Sequence, residues 1–254
     1  MTKAKNPVQA VQRTLDIIDV LRETGGARVT KIADEVDLTK GTTHCHLATL
    51  EENGYVIKGD DNRYQLGLRF IDLAHHAKNR IEIYDVTKTE VDKLAEESGE
   101  MALFTVEEGG TGVCLYTAEG ADAVRTEVYV GYRNELYHTA VGKAMLAFMS
   151  DDRRDHIIEN TAFQAITPNT ITDEDRLREE LAEIRETGIA YNHEETIQGL
   201  VGVGAPICDQ DGTIYGAISI IGPVRRMDED RLNGDIPDMI KRAVNIIEIN
   251  VTSL

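Results

Sequence analysis

VTKIADEVDLTKGTTHCHLATLEENGY, residues 29–55, reads as two short helices joined by a tight turn. Val29, Ile32, Ala33 and Val36 recur at helical spacing and give the first helix one apolar face. Asp37-Leu38-Thr39 follows, and Thr39 is a favourable N-cap for a second helix over residues 40–53, closed by Gly54. Leu47 and Leu50 face inward in this reading, with Thr43 or His46 at the edge of that face. The outward side of the first turns then carries Lys40, Gly41, Thr42, His44 and Cys45. It is short, polar and uncrowded, as a helix entering the DNA major groove must be. An ordinary pair of antiparallel helices is the plainer alternative, and the flanking segments argue against it.

Upstream, Val8–Glu23 reads as a helix with Val8, Val11, Leu15, Ile18 and Leu21 in one apolar stripe, widened by Ile17 and Val20. Gly25-Gly26 breaks it. Downstream, Tyr55–Lys58 and Arg63–Leu66 flank the polar turn Gly59–Asn62 and predict a β-hairpin. Three helices and such a wing describe a winged helix-turn-helix over residues 1–67. Its candidate DNA contacts are Thr39, Lys40, Gly41, Thr42, Thr43, His44 and Cys45 at the bases, with Arg13, Arg28 and Arg63 holding phosphates. A surface arginine in a turn needs no function by itself; the module supplies the reason to single out Arg63.

Residues 68–84 are expected to form a linker helix, and 85–254 a second domain. Phe70, Ile71, Leu73, Ala74 and Ala77 are its apolar positions, and a joint near Asn79–Tyr84 separates it from a second helix with Val86, Val91, Leu94 and Ala95. Half-sites on DNA demand a dimer, and a connecting helix is a natural place to make one. From Met101 the period becomes two. Met101–Val106, Gly112–Thr117, Val124–Val130, Ile189–His193, Val201–Cys208 and Thr213–Ile221 read as strands. Ala140–Met149, Asp151–Asn160, Asp173–Thr187 and Met227–Ile249 read as helices, the last broken at Pro237. The pattern is α+β, with an antiparallel sheet and helical flanks.

Composition narrows the function. The chain has 254 residues, 41% of them hydrophobic, and no Trp. Its apolar runs are too short to span a bilayer, and the N-terminus has no signal core, so a cytoplasmic protein is expected. The 3 cysteines, Cys45, Cys114 and Cys208, form no metal-binding spacing. Net charge is −18, yet residues 1–78 hold 11 basic and 11 acidic residues and are neutral. The other 16 basic and 34 acidic residues lie in 79–254. Such acidity suggests a protein that works at high salt, where counterion release adds little to DNA affinity and a neutral binding domain is tolerable.

No catalytic constellation stands out, and no metal or cofactor is expected. Lys143 lacks the preceding glycine spacing of a phosphate loop. His75-His76 has no further ligand in place, and His44 and His46 point to different sides of their helix. Glu194-Glu195 has no matched base and is expected to be solvated. His138–Lys143 opens a helix whose first N–H groups suit a carboxylate or phosphate without a charged side chain. Tyr191–Gly204 offers Asn192, His193 and two glycines. Tight packing and sheet curvature explain the same small residues without a ligand.

Four blocks together resemble the IclR family of transcription regulators. They are Ala10–Ile18; Leu38–His44 with Leu47–Glu51; Leu136–Leu146; and Gly188–Tyr191, Glu194-Glu195, Gly199-Leu200, Ala205–Ile207, Gly212, Ala217, Ser219 and Gly222-Pro223. The resemblance runs from about Val8 to Ile249. It implies a winged helix-turn-helix, a linker helix and a GAF-like ligand-sensing domain. It implies homodimers, paired into homotetramers, which bind double-stranded operator or promoter DNA. A small-molecule effector such as an organic acid or sugar-derived metabolite then controls catabolic genes. The effector contacts it implies are Ala140, Val141, Gly142, Tyr191, Asn192 and Gly202. Cys45 stands where the family commonly has Arg, Asn192 where it often has Asp, and Gly202 where it often has Cys. The last two departures imply a roomier, more neutral pocket. The competing reading is an enzyme using Cys114 or Cys208 as a thiol.

Overall fold

In the computed structural model, which describes residues 5–251, the chain divides into two units between Ile81 and Glu82. Residues 1–4, where the N-terminal stretch without a signal core begins, lie outside the described residues.

The first unit opens with α1, Gln9–Thr24, which stops at Gly25 in the left-handed conformation (φ 62°). β1 (Ala27–Arg28), α2 (Val29–Glu35), α3 (Lys40–Glu52), β2 (Val56–Lys58), β3 (Arg63–Leu66) and α4 (Arg69–Lys78) follow. Asp37 makes the turn between α2 and α3 with φ 51°, a conformation that Asp tolerates better than most side chains. The wing is a three-stranded sheet in the order β1-β3-β2. The two-residue β1, invisible to a periodicity argument, pairs Ala27 with Tyr64.

Ile17, Leu21, Ile32, Leu47, Leu50, Val56 and Tyr64 make the core of this unit. Of the expected stripe, Leu21 is buried and Ile18 packs against this core, together with the widening residues Ile17 and Val20. Val8, Val11 and Leu15 are 65%, 56% and 50% exposed. The core takes the C-terminal part of the stripe, around Ile17 and Leu21, and leaves its N-terminal part on the surface. α4 has no buried residue, and its Ile71 and Leu73 are exposed.

The second unit contains α5 (Tyr84–Ser98), β4 (Met101–Glu108), β5 (Thr111–Glu119), β6 (Arg133–Glu135), α6 (Ala140–Phe148), α7 (Asp151–Glu159), α8 (Glu174–Thr187), β7 (Ala190–His193), β8 (Leu200–Cys208), β9 (Ile214–Pro223) and α9 (Ile236–Val251). The six strands form one antiparallel sheet in the order β6-β5-β4-β9-β8-β7. α6 packs on β8 and β9 with α8 against it, while α5 and α9 pack on each other. Leu103, Leu136, Met145, Leu146, Ile158, Leu177 and Leu181 fill the core beneath α6.

Val124–Val130, expected as a strand, is irregular. The edge of β5 that it would use is taken by β6, which pairs Val113 with Arg133. The segment is held instead by two bonds to Cys114, whose N–H donates to Tyr132 O (3.0 Å) and whose O accepts from Gly131 N–H (2.7 Å). Pro237 does not break the last helix. It follows a π-helical turn, Arg231–Asp235, whose wider ring accommodates the missing donor.

Candidate functional site

On α3, helical geometry sorts the first turns by face. Thr39 is extended (φ −68°, ψ 149°), and its Oγ1 accepts the Thr42 N–H at 3.2 Å, the N-cap expected from the residue type. Lys40, Gly41, Thr42, His44 and Cys45 are exposed. Thr43 is fully buried, and its hydroxyl donates to Thr39 O at 3.0 Å. Its inclusion among the base contacts is corrected: Thr43 lies one turn below Leu47 and shares its inward face. The helix ends as a Schellman motif, with Gly54 N–H on Glu51 O (3.0 Å) and Tyr55 N–H on Leu50 O (2.9 Å). His46 packs inward as Nδ1 meets Thr14 Oγ1 at 2.8 Å.

The three candidate phosphate arginines differ. Arg28 is exposed at the start of α2. Arg13 donates to Val36 O at 3.1 Å, so it ties α1 to the turn before α3. Arg63 donates to Gly26 O at 2.5 Å and anchors the wing. Both retain exposed surface, but each already has a structural task.

The second unit holds a mostly enclosed cavity of about 70 Å³, ample for ordered water, which needs about 10–15 Å³. One wall is sheet: Leu103 and Thr105 on β4, Gly112 and Cys114 on β5, Ser219 and Ile221 on β9, and Gly202 on β8. The facing wall is Thr139, Ala140 and Val141 at the start of α6. The irregular segment contributes Thr126, Val128 and Tyr132, and the loop after β7 contributes Asn192, Thr196 and Ile197. Ala140 and Val141 lie in the first turn of α6, where N–H groups lack intrahelical partners. A Cβ on Gly202 would sit 3.6 Å from Ile221 and 3.7 Å from Ala140, which is ordinary contact distance.

Two of the expected cavity residues stand elsewhere. Tyr191 faces the other side of β7, where it stacks on His193 (rings 5.5 Å apart, 8° between planes) beside Glu180 and Glu183. Alternation along a strand sends Asn192 and Tyr191 to opposite faces. Gly142 is required by packing: a Cβ there would lie 2.2 Å from Leu136 O, and its N–H already serves Thr139 Oγ1 at 3.0 Å.

Asn192 lines the cavity but spends its amide on structure. Its Nδ2 donates to His138 O (2.9 Å) and to Thr196 Oγ1 (2.8 Å), and its Oδ1 accepts from Glu195 N–H (2.9 Å). Behind this wall, Lys143 is fully buried and meets Glu195 Oε1 at 2.7 Å and the carboxylate of Glu180. Glu195 is itself buried, which corrects its expected solvation: the loop after β7 folds back over α6 and carries it inward. Burial raises its pKa, against the pull of Lys143. His138 is buried beside Tyr137, and burial lowers its pKa to about 4, so its ring is neutral at pH 7.

The thiols lack the environment of a nucleophile. Burial pushes Cys114 up to about 12 and Cys208 up to about 11, so neither offers thiolate at neutral pH. Thr105, Cys114, Asn134, Ser219 and Ile221 escaped the sequence reading. Strand alternation marks them as sharing faces, but nothing local says which face is roofed.

The sequence matches two family models, "IclR helix-turn-helix domain" over residues 10–58 and "Bacterial transcriptional regulator IclR C-terminal" over residues 75–248. It is 34% identical to a probable HTH-type transcriptional regulator, ArcR, of Halobacterium salinarum, over 96% of this chain and 94% of that one. The IclR structure of Thermotoga maritima superposes with a TM-score of 0.82 at 27% identity, covering 95% of this chain and 98% of that one. An IclR homolog from Microbacterium hydrocarbonoxydans, complexed with 4-hydroxybenzoate, shares the fold with a TM-score of 0.84 at 19% identity, covering 96% and 100%. Among the described residues, no helix is long and apolar enough to cross a membrane. A helix-turn-helix unit, a cavity-bearing α+β unit and these matches agree: the chain belongs to the IclR family of transcriptional regulators.

Proposed function

We propose that this regulator reads its operator with Lys40, Gly41, Thr42, His44 and Cys45, and that a small molecule in the second unit's cavity sets that binding. The carrying observation is the sorting of α3: Thr43, Leu47 and Leu50 are buried while the five named residues are exposed. Arg28, with the free faces of Arg13 and Arg63, meets phosphates. The working division is residues 1–67 for DNA, 68–84 as linker and 85–254 for the effector. The protein acts in the cytoplasm on catabolic genes. The small-molecule complex of the Microbacterium neighbour supports the effector role of the fold.

The experiment is fluorescence anisotropy with duplex from upstream of the protein's own gene, in molar KCl, against scrambled duplex. Saturable, sequence-dependent binding is expected. Thr42→Ala and His44→Ala are each expected to cost about 1–3 kcal/mol of specific binding, the value of a good base contact, and to leave scrambled-duplex binding unchanged. Equal loss on both duplexes would move these residues out of the sequence readout.

The protein works as a homodimer. Val8, Val11 and Leu15 on α1, and Leu68 and Ile71 at α4, leave apolar side chains on the surface of a DNA-binding unit that must engage two half-sites. Leu15→Glu with Ile71→Glu is expected to shift the sedimentation of the full chain towards monomer. An unchanged profile would put the contact elsewhere, and a species twice the dimer mass would show the tetramer.

A further inference from the structure

We propose that Thr42 and Cys45 select thymine, by van der Waals contact with its C5-methyl group in the major groove, and leave hydrogen bonding at the bases to Lys40 and His44. The proposal rests on reading α3 as the element that meets the bases, and adds which base that element selects.

The hydroxyls on this face of α3 are engaged within the helix. Thr42 Oγ1 lies 2.9 Å from Thr39 Oγ1, which also accepts the Thr42 N–H at 3.2 Å. Two turns on, Thr49 Oγ1 donates to Cys45 O at 3.0 Å. With each hydroxyl turned onto its own helix, the γ-methyl is the group that Thr42 and Thr49 have left to offer. Cys45 stands at i+3 from Thr42 and i−4 from Thr49, so the three share one face, and all three are exposed. A thiol is a small apolar group with only a weak donor. In the major groove the one apolar feature of a base is the thymine methyl, and a threonine methyl is among its usual partners. Lys40 and His44, one turn apart, hold the adjoining flank and carry the stronger donors.

Two further observations fit a reader that works by close contact. A Cβ on Gly41 would meet nothing nearer than Thr39 Oγ1 at 3.9 Å, so packing within the chain does not call for glycine, a poor helix former, at that place. Glycine there lets a base edge come close beside Thr42. Residues 1–78 carry equal numbers of basic and acidic groups, so attraction to phosphates is weak and short-range contacts bear more of the discrimination.

The test starts with selection by the full chain, in molar KCl, from a random-sequence duplex library. Thymine is expected to be enriched at matching positions of both half-sites. The selected duplex is then remade with uracil, which keeps every hydrogen-bonding group of thymine and lacks its methyl. Binding, read by anisotropy, is expected to fall about fourfold for each methyl contact, and about tenfold or more over two half-sites. Thr42→Ser keeps the hydroxyl and removes only the methyl, and Cys45→Ser trades the thiol for a hydroxyl. Each is expected to narrow the preference for thymine over uracil duplex, with circular dichroism checking both folds. Equal binding to the two duplexes, with His44→Ala still losing the selected site, overturns the methyl readout and leaves α3 on the bases. A uracil penalty that survives undiminished in both serine variants assigns the methyls to other residues and overturns it as well. No enrichment from the library, or a selected site indifferent to Thr42→Ala and His44→Ala alike, overturns the α3 reading and this proposal with it.

Discussion

Lys143→Ala is expected to cost the second unit about 3–5 kcal/mol of folding stability, the usual penalty for removing one partner of a buried ion pair. Lys143 is fully buried, and Glu195 is 3% exposed with its Oε2 already lacking a hydrogen-bond partner. Without the ammonium, Glu195 keeps only the His193 N–H, at 3.3 Å, and must lose its charge or open the loop. The pair itself is a different matter. Lys143→Met combined with Glu195→Gln removes both charges at similar volume, and is expected to recover most of the loss. Urea unfolding followed by circular dichroism at fixed KCl reads both, with the transition of the first unit as internal reference. A loss under about 1 kcal/mol in Lys143→Ala would mean that water reaches the pair, contrary to its burial.

Acidification is expected to destabilise the second unit through His138 by about 3 kcal/mol between pH 7 and pH 4, at about 1.4 kcal/mol for each unit of pKa. Its ring titrates at about 4 in the fold against 6.5 in the open chain. Above 6.5 both states hold it neutral and it contributes no pH dependence. Between 6.5 and about 4 the unfolded chain takes up the proton and the folded chain does not, so stability falls with pH. Below about 4 both are protonated and the loss is complete. Glu195, raised by burial, works in the opposite sense and gains stability on acidification. Subtracting the pH profile of His138→Phe from that of the parent isolates the histidine. Parallel profiles would show that its ring is hydrated in the fold.

Much of the molecule was legible because its signals are local. The Thr39 cap, the Gly54 stop and the wing turn each depend on a few neighbouring residues. The cavity of the second unit was half legible: Ala140, Val141, Asn192 and Gly202 line it, whereas Gly142 and Tyr191 do not. Those two were carried by position in a motif, and position does not say which way a strand or helix turns.

Local chemistry, then, accounts for the helix-turn-helix, the wing and the alternation of strands and helices from Met101 onward. Packing between distant segments decided the rest. It buried the Ile17–Leu21 end of the stripe and left Val8 and Leu15 outside, and it turned Thr43 to the inner face of α3. It gave β5 the partner β6 and so left residues 124–130 free to roof a cavity. It also buried Lys143 and Glu195, which lie 52 residues apart, against each other. Turn and cap preferences act over a few bonds. Burial depends on a surface supplied from elsewhere in the chain, and no window of sequence contains it.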